Sequence, residues 1–125
     1  MSTASSRSNY RILFTQDAAD DVSELDGSIK KRLKRVLTEK LASDPEGYGT
    51  QLRAPLAEYW KHQFASHRIL YRIFPDERVV VICAVGSRRG EHATDVYSLF
   101  EAVASTGKVA EQVARVLHFA VKPKK

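Results

Sequence analysis

The pattern of apolar and polar positions predicts a β-hairpin over residues 67–86. Its first half, His67 to Phe74, reads HRILYRIF, which alternates as expected for a strand with two different faces. Pro75 and Asp76 form a turn signal, and residues 79–85 follow as a β-branched apolar run. Such a run is typical of a strand covered on both faces, so we expect it in the middle of the sheet.

Two stretches before this hairpin have helical spacing. Residues 10–14 alternate as a first strand, and Thr15 is placed to cap a helix. Apolar residues then recur three and four positions apart over 18–25 and again over 29–41, with a break at Asp26-Gly27-Ser28. This predicts two amphipathic helices forming an antiparallel hairpin on the sheet.

The remaining pattern predicts more strands and a helical C-terminal part. Residues 52–56 are typical of a short edge segment because of Pro55, and residues 59–64 of the second strand. A helix beginning at Thr94 or Asp95 and ending at Gly107, and a last helix over 109–120, complete the chain. The fold class is α+β: an N-terminal strand, an antiparallel helical hairpin, antiparallel strands in a small twisted sheet, and C-terminal helices.

The length of 125 residues fits one domain. We expect residues 1–9 to be a disordered leader, residues 10–100 to form the domain, and residues 101–125 to be a helical extension with a basic tail, part of the same domain. No apolar run is long enough to cross a membrane. The single Cys83 lies in an apolar run, so we interpret it as a small hydrophobe without catalytic function. The absence of an internal disulfide suits a reducing cytoplasm.

The net charge of +5 favours a polyanionic partner. Charges balance over residues 1–60, and the whole excess lies in 61–125. The second predicted helix nevertheless has a dense basic face: Lys30, Lys31, Arg32, Lys34 and Arg35. This face is either a nucleic-acid surface or the solvated side of a surface helix, and the second reading is the commoner one.

Two cations of the predicted sheet are expected to face each other. If Gln63 and Ser66 close the turn between the second strand and the hairpin, Lys61 lies directly opposite Arg68. Like charges in this position repel unless a carboxylate or a bound anion lies between them. The pair therefore indicates an anion site.

The order and spacing of several segments resemble the RelE/ParE superfamily of bacterial toxins from toxin–antitoxin modules. The resemblance runs from about Tyr10 to Phe100. It is carried by Trp60-Lys61, 67–73 (HRILYRI), 76–81 (DERVVV), 85–88 (VGSR) and 95–98 (DVYS). RelE-type members cut messenger RNA in the ribosomal A site, whereas ParE-type members poison DNA gyrase and are not nucleases.

The resemblance implies a metal-free and cofactor-free site on the RelE pattern. In that chemistry a 2′-hydroxyl attacks the adjacent phosphate and leaves a 2′,3′-cyclic phosphate and a free 5′-hydroxyl. Lys61 and Arg68 match the positions that clamp the phosphate. Arg88 matches a donor to the phosphate or leaving group, and Tyr97 matches an aromatic residue assigned as base or as a stacking platform. Further RNA contacts are expected from Arg72 and Arg89.

Two departures from the RelE pattern leave the proton transfers open. Tyr59 stands where RelE has a second lysine, and the segment between Arg88 and Tyr97 is longer and contains His92. His92 is therefore an alternative acid or base. His62 and His67 are more simply surface or packing residues. The expected partners are a cognate antitoxin, the ribosome and mRNA, with DNA gyrase as the alternative target, and the expected location is the cytoplasm.

Overall fold

The computed structural model describes residues 9–54, 56–87, 100 and 104–120. Residues 1–8 of the predicted leader, the segments 88–99 and 101–103 with most of the helix predicted to begin at Thr94 or Asp95, and the basic tail 121–125 lie outside these ranges. The described strands and helices are β1 (Arg11–Phe14), α1 (Gln16–Ser23), α2 (Gly27–Val36), a π-helical turn (Leu37–Leu41), β2 (Thr50–Gln51), β3 (Trp60–Phe64), β4 (His67–Phe74), β5 (Val79–Ser87) and α3 (Lys108–Ala120). None of the described helices is long and apolar enough to cross a bilayer.

Side-chain caps begin both helices of the predicted helical hairpin. The Thr15 hydroxyl accepts a hydrogen bond from Ala18 N at 3.1 Å, which confirms the predicted cap of α1. Asp26 accepts from Ile29 N at 3.0 Å and so caps α2. The break between the helices therefore ends at Asp26, and the prediction that Gly27 and Ser28 belong to it was wrong.

The sheet has five strands in the order β1-β5-β4-β3-β2, with β1 parallel to β5 and every other pair antiparallel. The run 79–85 is an interior strand as predicted, although β4 rather than β5 is the middle strand. The edge segment predicted over 52–56 was wrong. The edge strand is Thr50–Gln51, because these residues can pair with Lys61 and Trp60.

A β-bulge interrupts the pairing of β4 with β5. Leu70 pairs with Ala84 and Tyr71 pairs with Ile82, so Cys83 has no partner on β4. Both Cys83 and Ala84 consequently face the same side of the sheet, where they are buried. Burial also raises the pKa of the Cys83 thiol to about 12, and a thiol in this state is a poor nucleophile, as expected from the sequence.

Each face of the sheet has its own core. One face packs against α1, α2 and the π-helical turn through residues such as Leu33, Leu37 and Ile69. The other packs against Phe100 and α3 through residues such as Leu70 and Val113. Because neighbouring residues of a strand point to opposite faces, these two clusters fix the direction of every side chain on β3 and β4.

Candidate functional site

The cations Lys61, Arg68 and Arg72 lie on the face of the sheet that carries α3, and we call this the cationic face. Lys61 is paired with Leu70, whose side chain belongs to the core under α3. Arg68 and Arg72 lie two residues to either side of Leu70 on β4 and therefore point the same way. The sheet thus brings three of the predicted site residues to one surface.

The predicted direct pairing of Lys61 with Arg68 was wrong. Phe64 and His67 close the turn, so Gln63 lies opposite Arg68 and Lys61 lies opposite Leu70. The turn consists of Ala65 and Ser66, one residue later than expected, which shifts the register by two residues. A shift of two keeps every side chain on its face. Lys61 and Arg68 are therefore diagonal neighbours, with Cβ atoms about 7 Å apart.

Arg68 lies at the end of β4 that pairs with the end of β5. Its residue is only 8% exposed, and its partner on β5 is Gly86. Gly86 has no side chain, so β5 places no side chain directly beside Arg68 at this pairing. Lys61 is half-buried. A buried guanidinium therefore lies next to a more accessible ammonium on this face.

Arg72 is held at the other end of the cationic face, about 13 Å from Arg68 along β4. Its guanidinium carbon lies 4.6 Å from the centre of the Phe74 ring and 5.8 Å from that of Tyr59. Its Nη1 is 4.0 Å from the Glu58 carboxylate. Stacking and ion pairing already engage Arg72 within the protein.

The end of β5 is fixed by a carboxylate that sequence reasoning missed. β1 pairs with β5 only as far as Ile82. Further along β5, the Val85 N–H donates to Asp21 Oδ2 at 3.0 Å. This contact completes the hydrogen bonding of β5 immediately before Gly86. Asp21 stands in an acidic helix with Asp17, Asp20 and Glu24, and nothing in that pattern distinguishes it from its solvated neighbours.

The two described histidines near these strands lie on the opposite face. His62 pairs with Ile69, and His67 pairs with Phe64, whose side chains pack towards the helical hairpin. The His62 Nδ1 is 2.7 Å from the Tyr48 carbonyl oxygen, and the His67 ring stacks on Phe64 with centroids 5.6 Å apart. Both histidines therefore point away from the cationic face and contact other residues of the protein.

The other predicted site residues, Arg88, Arg89, His92 and Tyr97, lie outside the described residues. Arg88 follows Gly86 by two positions in sequence. Within the described ranges no three His, Cys, Asp or Glu side chains come together as metal ligands.

Comparisons with known proteins agree with this fold. The family model described as the ParE toxin of the type II toxin–antitoxin system, parDE, matches residues 12–91. The toxin–antitoxin complex RelBE2 of Mycobacterium tuberculosis contains a chain with 30% identity and a TM-score of 0.62, over 64% of this chain and 92% of that one. The isolated RelE toxin of Escherichia coli has 24% identity and a TM-score of 0.57, over 78% and 98%.

A more distant similarity extends to archaea. The RelE–RelB complex of Pyrococcus horikoshii contains a chain with 15% identity and a TM-score of 0.52, over 66% of this chain and 99% of that one. The search of curated protein sequences gives no match. The family match covers well over half of the chain, and the α+β architecture is that of RelE. The chain therefore belongs to the ParE toxin family, within the RelE/ParE superfamily, and is the toxin of a type II toxin–antitoxin system.

Proposed function

We propose that this toxin cleaves messenger RNA on the ribosome and that its cationic face holds the phosphate to be cut. The observation that carries the proposal is the position of Lys61 and Arg68 as diagonal neighbours on one face. Arg68 also lies beside Gly86, two residues before Arg88. A cluster of this kind can neutralise the charge that develops on a phosphate under attack.

In the proposed reaction the 2′-oxygen forms a bond to the adjacent phosphorus, and the bond from phosphorus to the 5′-oxygen breaks. The 2′-hydroxyl proton passes to a base, for which Tyr97 and His92 are the candidates. Lys61 and Arg68 stabilise the non-bridging oxygens. Arg88 stabilises the phosphate or donates to the departing 5′-oxygen, which leaves as a hydroxyl. Arg72 and Arg89 are the candidates for further RNA contacts. The products are a 2′,3′-cyclic phosphate and a 5′-hydroxyl.

The cognate antitoxin is the natural inhibitor in a type II system. The RelBE2 and Pyrococcus chains that this toxin resembles were both solved in such complexes. We propose that the antitoxin covers the groove between the helical hairpin and the sheet and reaches the last helix. The part over the last helix keeps RNA from the cationic face, which lies on the same side of the sheet, and the part in the groove excludes other ligands there, until the antitoxin is removed.

The test is to express the toxin from a tightly controlled promoter and to map the 5′ ends of cellular mRNA within minutes of induction. We expect cuts inside reading frames, in phase with codons, and their loss in Arg68→Ala and Arg88→Ala. Lys30→Ala removes an exposed cation of α2 and should leave cutting unchanged. Thermal unfolding and antitoxin binding show that each variant is folded. Equal cutting by folded Arg68→Ala and wild-type protein would refute the assignment.

A second candidate function is inhibition of DNA gyrase, because the matching family model is described as ParE toxin. In this case growth arrest would occur with intact mRNA. Purified toxin would then inhibit supercoiling by gyrase and increase gyrase-linked DNA cleavage. The joint presence of Lys61, Arg68, Arg88 and Tyr97 favours the nuclease.

A further inference from the structure

A second basic surface lies on the opposite side of the molecule from the cationic face. A groove of about 330 Å³ runs between α2 with its π-helical turn and the end of β3. It is lined by Arg32, Arg35, Lys40, His62 and the backbone turn at Ala65, together with Glu39 and three less polar residues. We call it the basic groove.

The cations of the basic groove exceed its carboxylates. Residues 27–41 contain six lysines and arginines and a single acid, Glu39. Arg35 is 3.8 Å from the Glu39 carboxylate, and both side chains are mostly exposed, so this pair is weak. The groove lining therefore carries more positive than negative charge, with Arg32, Arg35 and Lys40 against Glu39.

An exposed aromatic ring stands at the rim of the basic groove. Tyr48 is 46% exposed, and its ring contacts two residues that line the groove. The Lys40 ammonium is 5.8 Å from its centre, and the His62 ring meets it edge-on at 6.5 Å. The hydrogen bond from His62 to the Tyr48 carbonyl fixes the backbone at this point. The ring is thus held in place while much of it remains open to solvent.

We propose that the basic groove binds single-stranded RNA, with phosphates on Arg32, Arg35 and Lys40 and an unpaired base stacked on Tyr48. Cations that follow a backbone beside an aromatic platform are the usual means of binding a single strand. In a duplex the bases are paired and stacked on one another, so none of them is free to stack on Tyr48. The inference does not depend on the catalytic assignment, because His62 and Lys61 point to opposite faces of β3.

The test measures the binding of a short labelled 2′-O-methyl oligouridylate, which lacks the 2′-hydroxyl and so cannot be cut by the proposed reaction. We expect Arg32→Glu/Arg35→Glu to weaken binding by at least about ten-fold and to lower the salt slope by about 1.4. The matched control is Lys30→Glu/Lys34→Glu, which makes the same charge change on α2 outside the groove. It should weaken binding by less than about three-fold.

The aromatic part is tested separately with Tyr48→Ala, for which about ten-fold weaker binding is expected, and Tyr48→Phe, which should bind like wild type. Thermal unfolding confirms that these surface variants are folded. Equal loss in the two double variants would reduce the effect to net charge and overturn the proposal. So would unchanged binding in Arg32→Glu/Arg35→Glu or Tyr48→Ala. Tighter binding of a labelled oligoglutamate, with the same sensitivity, would assign the groove to an acidic protein segment instead.

Discussion

At the scale of single residues, the Asp21 side chain accepts a hydrogen bond from β5 beyond the point where β1 ends. β1 ends at Phe14, and the Thr15 N–H still donates to the Ile82 carbonyl. Beyond that point the Val85 N–H has only the Asp21 carboxylate to bond. A buried N–H without an acceptor would cost about 1–3 kcal/mol. Asp21 therefore keeps β5 regular up to the point where the proposed site begins.

Burial raises the pKa of Asp21 above its ordinary value, and the charges of Asp17, Asp20 and Glu24 raise it further against the lowering effect of the Val85 N–H. The stability that this group contributes is complete below its unfolded pKa of about 3.9. It is lost as the pH rises through the folded pKa. At neutral pH the ionised Asp21 carboxylate therefore lowers the free energy of unfolding relative to the protonated form.

We therefore predict that Asp21→Asn is more stable than wild type at pH 7 and that this advantage disappears near pH 3. The amide oxygen can still accept from Val85, whereas the buried charge is removed. Urea unfolding at several pH values measures the difference. Asp20→Asn, on the exposed side of the same helix, is the control and should show a smaller gain. An advantage for Asp21→Asn that is independent of pH would contradict the explanation.

At the scale of elements, the turn between β3 and β4 sets the register of the proposed site. Its first residue, Ala65, has a φ of 51°, in the left-handed region that disfavours side chains with a Cβ. The strain is tolerated because both strands fix the turn from either side. A different turn would move Arg68 relative to Lys61.

Ala65→Gly should stabilise the protein by about 1 kcal/mol, because glycine adopts a positive φ without the steric cost. Ser66→Gly is the matched control. Ser66 does not have a positive φ, so this variant should lose stability through the greater freedom of its unfolded chain. Denaturant midpoints of both variants give the comparison. A loss of stability in Ala65→Gly would show that the turn is not strained.

Gly49, in the loop before β2, lies close to the buried Tyr71. A Cβ at this position would meet the Tyr71 hydroxyl and lie 3.0 Å from the Pro45 carbonyl oxygen, to which that hydroxyl donates at 2.7 Å. We predict that Gly49→Ala costs about 1–3 kcal/mol. Gly27→Ala, with nothing within 4 Å of the new Cβ, should be neutral or stabilising in its helix. Thermal unfolding separates the two, and equal effects would contradict the proposed crowding.

Local signals explain which elements the sequence predicts correctly. The Thr15 cap, the Pro75 turn and the apolar run of β5 depend on neighbouring residues and can be identified from the chain alone. β2 has two residues and exists only through pairing with β3. The predicted register of β3 and β4 was wrong because the turn residues Ala65 and Ser66 are not the glycine or asparagine that would identify a turn in the sequence.

The same distinction applies to the site. The shared face of Lys61, Arg68 and Arg72 follows from the period of a strand and survives the shift in register. The bulge at Cys83 and the Asp21 contact arise from tertiary packing, which a single sequence does not encode as a pattern. The Arg72 contacts with Tyr59 and Phe74 required the fold as well.

At the scale of the whole molecule, α3 and the sheet stabilise each other. Val109 and Val113 belong to the same buried cluster as Cys83 and Leu70, and Gln112 exchanges hydrogen bonds of 3.0 and 3.3 Å with Asp17 of α1. The last helix is therefore joined both to the second core and to the helical hairpin.

Val113→Ala should lower the free energy of unfolding by about 2 kcal/mol, because it leaves a cavity in the second core. Unfolding should remain a single transition, since that core includes strands from the middle of the sheet. Glu111→Ala, on the exposed side of the same helix, should change stability by less than about 0.5 kcal/mol. Circular dichroism and tryptophan fluorescence measure the transition. A separate early loss of helix would indicate that α3 is only loosely attached.

The parallel pairing of β1 with β5 also has a consequence for synthesis. Thr15 bonds to Cys83, 68 residues later, so the first strand has no partner until most of the chain has been made. At about 5–20 residues per second this delay lasts roughly 3 to 14 seconds. The sheet that carries Lys61 and Arg68 cannot be completed during that time. A nascent toxin can thus complete its sheet only after Ser87 has been made, with residues 88–125 still to follow.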